Sequence, residues 1–486
     1  MEPAPPLPAY YRLKRRLLGD IEAGHYGTAG RLPTEHELCA VYGLSRTPVA
    51  RALSELAAEG VVVRHRRRGT FVNPDWVTAL RAAPRISVMA SEGSWAGQLR
   101  EAAGKDLRLE ITTAPFGELR TMFRRAIAEG RGPDFAIVDS VWVAEFAESH
   151  MLTPIAELDP AWAAEHDADF VPPFVDAYRL DGDGGGGTGT GMGTVAVQAP
   201  ADVAGLWYSR EALDAAGAVP PQTWRDLRSL GRILTEGSGR GRHALVLPGG
   251  PSAGETTTYA LMALLVANGA TVFTPEAVTL DSPATVETLR FLRRLVDDGV
   301  LPAEVVTYDR HRAARMLAMG RADMLVGASY QAETLAEETG TALAEVADRF
   351  GFVPIPAGPH GPPGVLCGGM VYCVPRQARH PELAMRLLRA ANAPKWLAEV
   401  CRETGQLPPR RSVLDALAPV SAFHAETAAL LEHAVVRPPA PAYALVSAQL
   451  QAMIEGVLTR RWSPQAAVTL AADRISAITG RPVVRP

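Results

Sequence analysis

The residues best equipped for recognition chemistry lie between positions 31 and 72. Arg46, Thr47 and Arg51 fall on one side of a short amphipathic segment, and Arg64, Arg66, Arg67 and Arg68 crowd a β-rich turn just after it. Guanidinium groups set along one helix face suit two acceptors, the O6/N7 edge of guanine and phosphate oxygens. The elements that must position them are legible from punctuation. An apolar-patterned helix over residues 35–41 stops at Tyr42-Gly43, where glycine supplies a left-handed cap. Ser45 is the expected N-cap of a second helix, with Leu44 as the apolar residue before it. Val49, Leu53 and Leu56 recur at 3–4 spacing, so this helix packs one stripe inward and turns Arg46, Thr47, Ala50 and Arg51 outward until Gly60 ends it. VVVRHRRRGTFV then reads as two strands around a basic turn. The sum is a winged helix-turn-helix of α+β class, a module that reads double-stranded DNA.

Five pieces stand in register along this stretch: Leu32-Pro33-Thr34-Glu35, Leu44-Ser45-Arg46-Thr47, Ala52-Leu53-Ser54-Glu55-Leu56, Glu59-Gly60 and Arg68-Gly69-Thr70-Phe71-Val72. Together they make the first 72 of 486 residues resemble the DNA-binding domain of GntR-family bacterial transcription regulators. The resemblance implies operator contacts by His36, Ser45, Arg46, Thr47, Arg51, Arg66, Arg68 and Gly69; one short helix-turn-helix contacts too few base pairs for specificity, so a homodimer on an inverted repeat is expected. His36 and Ala50 stand where the family often has Arg, and Arg67 replaces a common wing Gly.

The charge is unevenly spread. Residues 1–72 hold eleven Arg/Lys against seven Asp/Glu, a net +4, so a chain of net −4 leaves about −8 for the remainder. A basic head on an acidic body suits a nucleic-acid reader joined to a unit that avoids nucleic acid. The four cysteines, Cys39, Cys367, Cys373 and Cys401, form no CxxC pair and no Cys/His zinc spacing, so buried structural thiols are expected and no metal. The N-terminus has no apolar signal core, and the longest apolar run, residues 259–267, is too short to cross a bilayer. A cytoplasmic protein is the expectation.

Residues 73–85 read as a linker, and 86–486 as the body. A strand over 86–89 is followed by a loop with Glu92, Ser94 and Trp95. A buried strand over 135–138 ends at Asp139-Ser140, before a helix with Trp142 and Phe146. Such β-α-β alternation predicts an α/β sheet. The glycine-dominated run 181–193 lacks the Gly-Lys-Ser/Thr of a phosphate loop and is expected to be a surface loop. Ala204–Leu213 (AGLWYSREAL), the PPQTWRDL run 220–227, the GRADM run 320–324, Val353-Pro354-Ile355-Pro356 and Leu407-Pro408-Pro409-Arg410 then follow in order. This set resembles the bacterial extracellular solute-binding proteins that include maltose-binding protein. It implies a type 2 periplasmic-binding-protein-like fold, two α/β lobes closing on a ligand between them.

Flat aromatic faces and rim polar groups are what a sugar needs. The candidate ligand residues are Trp95, Asp139, Trp142, Tyr208, Tyr259, Tyr330 and Tyr443; Trp224 is assigned to packing, and Arg410 is left between a surface cation and a lobe-loop tether. The resemblance matches Tyr208 to a contacting Tyr and Tyr330 to a stacking Trp. No catalytic constellation such as HExxH or GxSxG occurs, so no enzyme and no cofactor are expected. The runner-up is a pyridoxal-phosphate aminotransferase-like body. It requires a Schiff-base Lys, and outside the head only Lys105 and Lys395 are available.

Overall fold

The computed structural model describes residues 9–65, 68–180, 193–237, 241–341, 343–361, 365–404, 406–420, 431 and 434–485. The head opens with α1 (Ala9–Glu22), α2 (Glu35–Tyr42) and α3 (Arg46–Ala58). A capping box starts α2: the Thr34 hydroxyl accepts from the Glu37 N–H, and the Glu37 carboxylate accepts from the Thr34 N–H at 2.7 Å. Gly43 ends it at φ 62°, left-handed as its type allows. Val49, Ala52, Leu53 and Leu56 form the buried stripe of α3 against α1 and α2. The wing is β1 (Val62–His65) antiparallel to β2 (Gly69–Val72), in register Val62↔Val72 to His65↔Gly69.

Residues 73–85 are not an open linker, which corrects the expectation. Asn73 caps a helix, α4 (Pro74–Ala82), by accepting from the Asp75 N–H at 3.1 Å, and Pro74 sits in its first turn. Trp76, Val77 and Leu80 of α4 are buried in the head's own core. The apolar positions outweigh the loop signal of Asn-Pro-Asp because burying them completes that core.

The body has two sheets. The first, in order β4-β3-β5-β14-β8, joins β3 (Arg85–Ser91), β4 (Arg108–Ala114), β5 (Phe135–Asp139), β8 (Val197–Gln198) and β14 (Met370–Cys373). Helices α5 (Trp95–Ala103) and α6 (Phe116–Ala128) make its β-α-β connections. β3 runs parallel to β4 and β5, and every residue of β5 is buried, as for a central strand covered on both faces. The second sheet, in order β10-β11-β9-β13-β15 with β12 also on β9, joins β9 (Asp202–Ser209), β10 (His243–Val246), β11 (Ala322–Ala328), β12 (Phe350–Val353), β13 (Val365–Gly368) and β15 (Ala434–Val436). The short hairpin β6 (Arg179–Leu180) and β7 (Gly193–Thr194) brackets the glycine-rich run, whose residues 181–192 lie outside the described ones.

The chain passes between lobes from β8 to β9 and again from β13 to β14. The second crossing turns on Gly369 at φ 120°, a conformation L side chains rarely adopt. Trp224 is core, stacked on Phe291 at 4.4 Å. Arg410 is the tether: it donates to Asp169 and Glu165 at 2.6 Å each and to the Asn392 carbonyl at 3.0 Å. All four cysteines are free thiols, three of them buried. Among the described residues no helix is long and apolar enough to cross a membrane.

Candidate functional site

Two surfaces carry the chemistry. On the head, His36, Ser45, Arg46 and Thr47 are exposed along the first turns of α2 and α3. Ser45 occupies the N-cap position of α3 in an extended conformation with no side-chain cap bond. Its hydroxyl and the positive end of α3 therefore face outward, as phosphate binding requires. Glu35 holds two arginines, Arg46 Nε at 3.1 Å and Arg64 Nη2 at 2.6 Å. Arg64 also donates to Ser54 at 2.9 Å. Arg46 is 85% exposed, so its pair with Glu35 is worth under about 1 kcal/mol and yields readily to a base or phosphate.

Arg51 faces a different neighbour. Its guanidinium lies 3.7 Å from the Tyr10 ring centroid, donates to the Tyr10 hydroxyl at 2.8 Å and pairs with Glu55 at 3.1 Å. That packing directs it onto α1 rather than out from the helix face. Arg68 is exposed at the wing turn and Arg66 lies outside the described residues. Gly69, at φ 110°, lets the Arg31 side chain cross it; a Cβ there would meet Arg31 Nε at 2.8 Å.

The second surface is the cleft between the lobes, with a volume of 470 Å³. Of the candidates from sequence, the structure brings Trp95, Asp139, Tyr259 and Tyr330 to its wall. Trp95 begins α5, Asp139 ends β5 and Tyr330 follows β11, so each stands where an element meets the cleft. Sequence reasoning missed Phe116, Asp202, Glu255, Arg310, Gln406 and Arg437. The centre is a buried ion cluster. Arg437 donates to Asp139 at 2.7 Å, to Ser140 at 3.1 Å and to Glu255 at 2.8 Å, with its guanidinium 5.2 Å from the Tyr259 ring. Asp139 belongs to the first lobe and Arg437 and Glu255 to the second, so the cluster ties the lobes together. Burial pushes the Glu255 carboxyl up while Arg437 pulls it back, and the two carboxylates hold Arg437 firmly protonated. Across the cleft Arg310 stands 4.9 Å above Phe116, a second contact between lobes.

Three candidates fall outside the cleft. Tyr208 sits six residues along β9 from Asp202, about 20 Å at the rise of a strand. Its ring lies on Gly351, where an added Cβ would come within 2.0 Å of it. Trp142 is buried 5.6 Å from Phe116, behind the wall. Tyr443 is 2% exposed and donates to Glu255 at 2.9 Å, supporting the ion cluster from beneath. Tyr208→Leu is therefore expected to cost about 1–2 kcal/mol in urea unfolding of the body while leaving ligand affinity within twofold. A lost ligand response in a folded variant would return Tyr208 to the site.

A larger depression of 1050 Å³ opens on the outer face of the second lobe, lined by Arg228, Arg232, Ile233 and Glu287. It lies on one lobe alone, so closure of the lobes does not alter it. Among the described residues no group of His, Cys, Asp and Glu has metal-holding geometry.

The profile of the bacterial extracellular solute-binding proteins matches residues 90–398, well over half of the chain, and that of the gntR family of bacterial regulatory proteins matches residues 9–72. The chain belongs to the bacterial extracellular solute-binding protein family and carries a gntR-family head. It is 22% identical over 310 residues to a Brucella abortus relative described as a binding protein, covering 63% of this chain and 70% of the relative. The head is 44% identical over 63 residues to a probable fructoselysine utilization operon transcriptional repressor of Escherichia coli, covering 13% of this chain and 26% of that protein. In fold the body is similar to a solute-binding protein of Thermotoga lettingae bound with α-D-tagatose, at TM-score 0.71 and 22% identity over 82% of this chain and 100% of the other. It is also similar to maltose-bound T. maritima MalE3, at TM-score 0.70 and 23% identity over 82% and 100%.

This gntR-headed solute-binding protein thus joins a regulator module to a binding module, and neither matched family is an enzymatic type. The aminotransferase-like alternative is set aside. The body has the solute-binding fold, and Lys105 and Lys395 are both exposed rather than pocketed.

Proposed function

We propose that this protein is a ligand-controlled transcription regulator of the cytoplasm. Its heads bind operator DNA as a homodimer, and a sugar taken between the lobes sets operator occupancy. One observation carries the reading: α5 touches both the cleft and the head. Its first residue, Trp95, lines the cleft. Its last turns dock on the head, where Arg100 pairs with Glu22 at 3.0 Å and Glu101 meets Lys14 at 3.9 Å. Lys14 is nearly buried and also pairs with Glu55 of the recognition helix α3 at 3.7 Å and with Glu59, its C-cap residue, at 2.6 Å. A ligand that moves the rim of the cleft therefore pushes on the helix that bears Arg46. Two heads must fit two half-sites, so a change in their setting changes affinity.

The test is operator affinity by fluorescence anisotropy, with and without a sugar that raises the melting temperature. The sugar is expected to change affinity about 5- to 150-fold. Glu101→Gln with Lys14→Met is expected to abolish that change while sugar binding persists. An unchanged response would place the coupling elsewhere.

The same contact predicts a pH dependence. Burial pushes the Glu22 carboxyl up from its ordinary 4.5 to about 7, only partly offset by Arg100. The docked state thus binds this proton more tightly than the undocked one. Docking is fully favoured below 4.5 and weakens as pH rises to about 7. A shift of this size corresponds to roughly 3 kcal/mol. Protease sensitivity of the junction at residues 83–85 should rise over that window, and Glu22→Gln should flatten the profile. A flat wild-type profile would refute it.

A further inference from the structure

The cleft wall is strongly acidic. Glu92, Asp139, Asp202, Glu255, Glu333 and Glu337 line it against two guanidiniums, those of Arg310 and Arg437. Asp139 and Glu255 are matched by Arg437. Arg310 lies over the Phe116 ring and keeps its charge, so the cleft wall still carries more carboxylates than guanidiniums. Among the described residues no ion pair reaches Glu92, Asp202 or Glu337, although all three stand at the same cavity.

Asp202 is the decisive group. It lies at the β8–β9 crossing, on the floor of the cleft, and its remaining exposure opens into the cavity. Its Oδ1 accepts from Gln406 Nε2 at 3.1 Å, and its Oδ2 lies beside Gly369, where only a hydrogen stands in the way. Both contacts are neutral, and the nearby charge of Arg437 offsets burial only in part. Burial accordingly pushes its carboxyl up to about 7. A carboxylate taken from water without a cation is costly, and a cation from the ligand would relieve that cost. The Nε of Arg437, buried and without a partner among the described residues, offers one donor for a hydroxyl or ring oxygen alongside. Trp95 and Tyr330 supply flat faces for a sugar ring or a cation.

We infer that the effector is an amino sugar, a mono- or disaccharide whose ammonium group is received by Asp202, with Glu92 and Glu337 on the rim. This rests on the reading that a sugar binds between the lobes. A neutral sugar would leave Asp202 protonated, whereas an ammonium group would hold it ionised.

The test uses the full-length protein at pH 6.5 and isothermal calorimetry with glucosamine and its β-1,4-linked disaccharide, against N-acetylglucosamine, glucose and their disaccharides. The amine forms are expected to bind about 10- to 100-fold more tightly than the neutral ones, the worth of a charge-assisted contact. Asp202→Asn should reduce that preference to within about threefold, and the exposed Glu337→Gln should reduce it part-way if the floor variant fails to fold. Neutral sugars binding as tightly as the amines would overturn the charge assignment and leave the sugar reading standing. Spermidine binding with no sugar binding would overturn both. Absence of binding by every amine form would overturn the inference as well.

Discussion

Arg437→Met is expected to be the most damaging single change in the body, lowering its stability to urea by about 3–5 kcal/mol. The side chain is 3% exposed and serves two carboxylates, so its loss strands the charges of Asp139 and Glu255 inside the protein. Removing one partner of a buried pair costs far more than the pair itself contributes. The triple variant Asp139→Asn, Glu255→Gln, Arg437→Met removes all three charges and should recover most of the loss. Equilibrium unfolding followed by tryptophan fluorescence distinguishes the cases. A single variant within about 1 kcal/mol of wild type, or a triple variant no better than the single, would show that charge burial is not what the cluster manages. The cluster also ties Asp139 of one lobe to Arg437 and Glu255 of the other, so the neutral triple variant should respond more weakly to ligand even where it is well folded.

The head was legible because its signals are local. Gly43, Ser45 and the Val49/Leu53/Leu56 stripe lie within a few residues of the structure they dictate, and short-range punctuation determines helix ends. The two-lobed body was legible as a series of ordered strand and helix pieces. The junction was not: Asn73-Pro74-Asp75 carries turn residues, yet Asn is also a cap and Pro a first-turn residue, and only the spacing of Trp76, Val77 and Leu80 distinguishes the readings. The cleft was half legible. Trp95, Asp139 and Tyr330 adjoin element ends that sequence marks. Tyr208 lies on a strand that begins at the cleft, but sequence does not say which end of β9 faces it. Arg437 and Asp139 are 298 residues apart, and no local pattern announces a pair at that separation. Glu255, the acidic first-turn residue of a largely buried helix, Glu255–Val266, was the one missed group with a visible signal.

On DNA, Arg46→Ala is expected to have the largest effect of any head substitution. Arg46 opens α3 and is 85% exposed, held among the described residues by Glu35 at 3.1 Å. A guanidinium placed there can leave Glu35 and donate to a guanine edge, an interaction worth about 1–3 kcal/mol per half-site. On the proposed homodimer and inverted repeat the loss occurs twice, so the expected cost is about 2–6 kcal/mol, concentrated on the cognate sequence. Arg64 is already committed to Ser54 at 2.9 Å and Glu35 at 2.6 Å, so Arg64→Ala should weaken cognate and random DNA alike and reduce the salt slope. Glu35→Gln provides the control of opposite sign: it removes the carboxylate competing for both arginines and should tighten binding to any duplex. Anisotropy titrations at fixed salt, on cognate and scrambled fragments, read all three. If Arg46→Ala stays within twofold of wild type on the cognate fragment while Arg51→Ala does not, base reading belongs to the arginine now stacked on Tyr10, and that residue must swing off α1 to reach the groove.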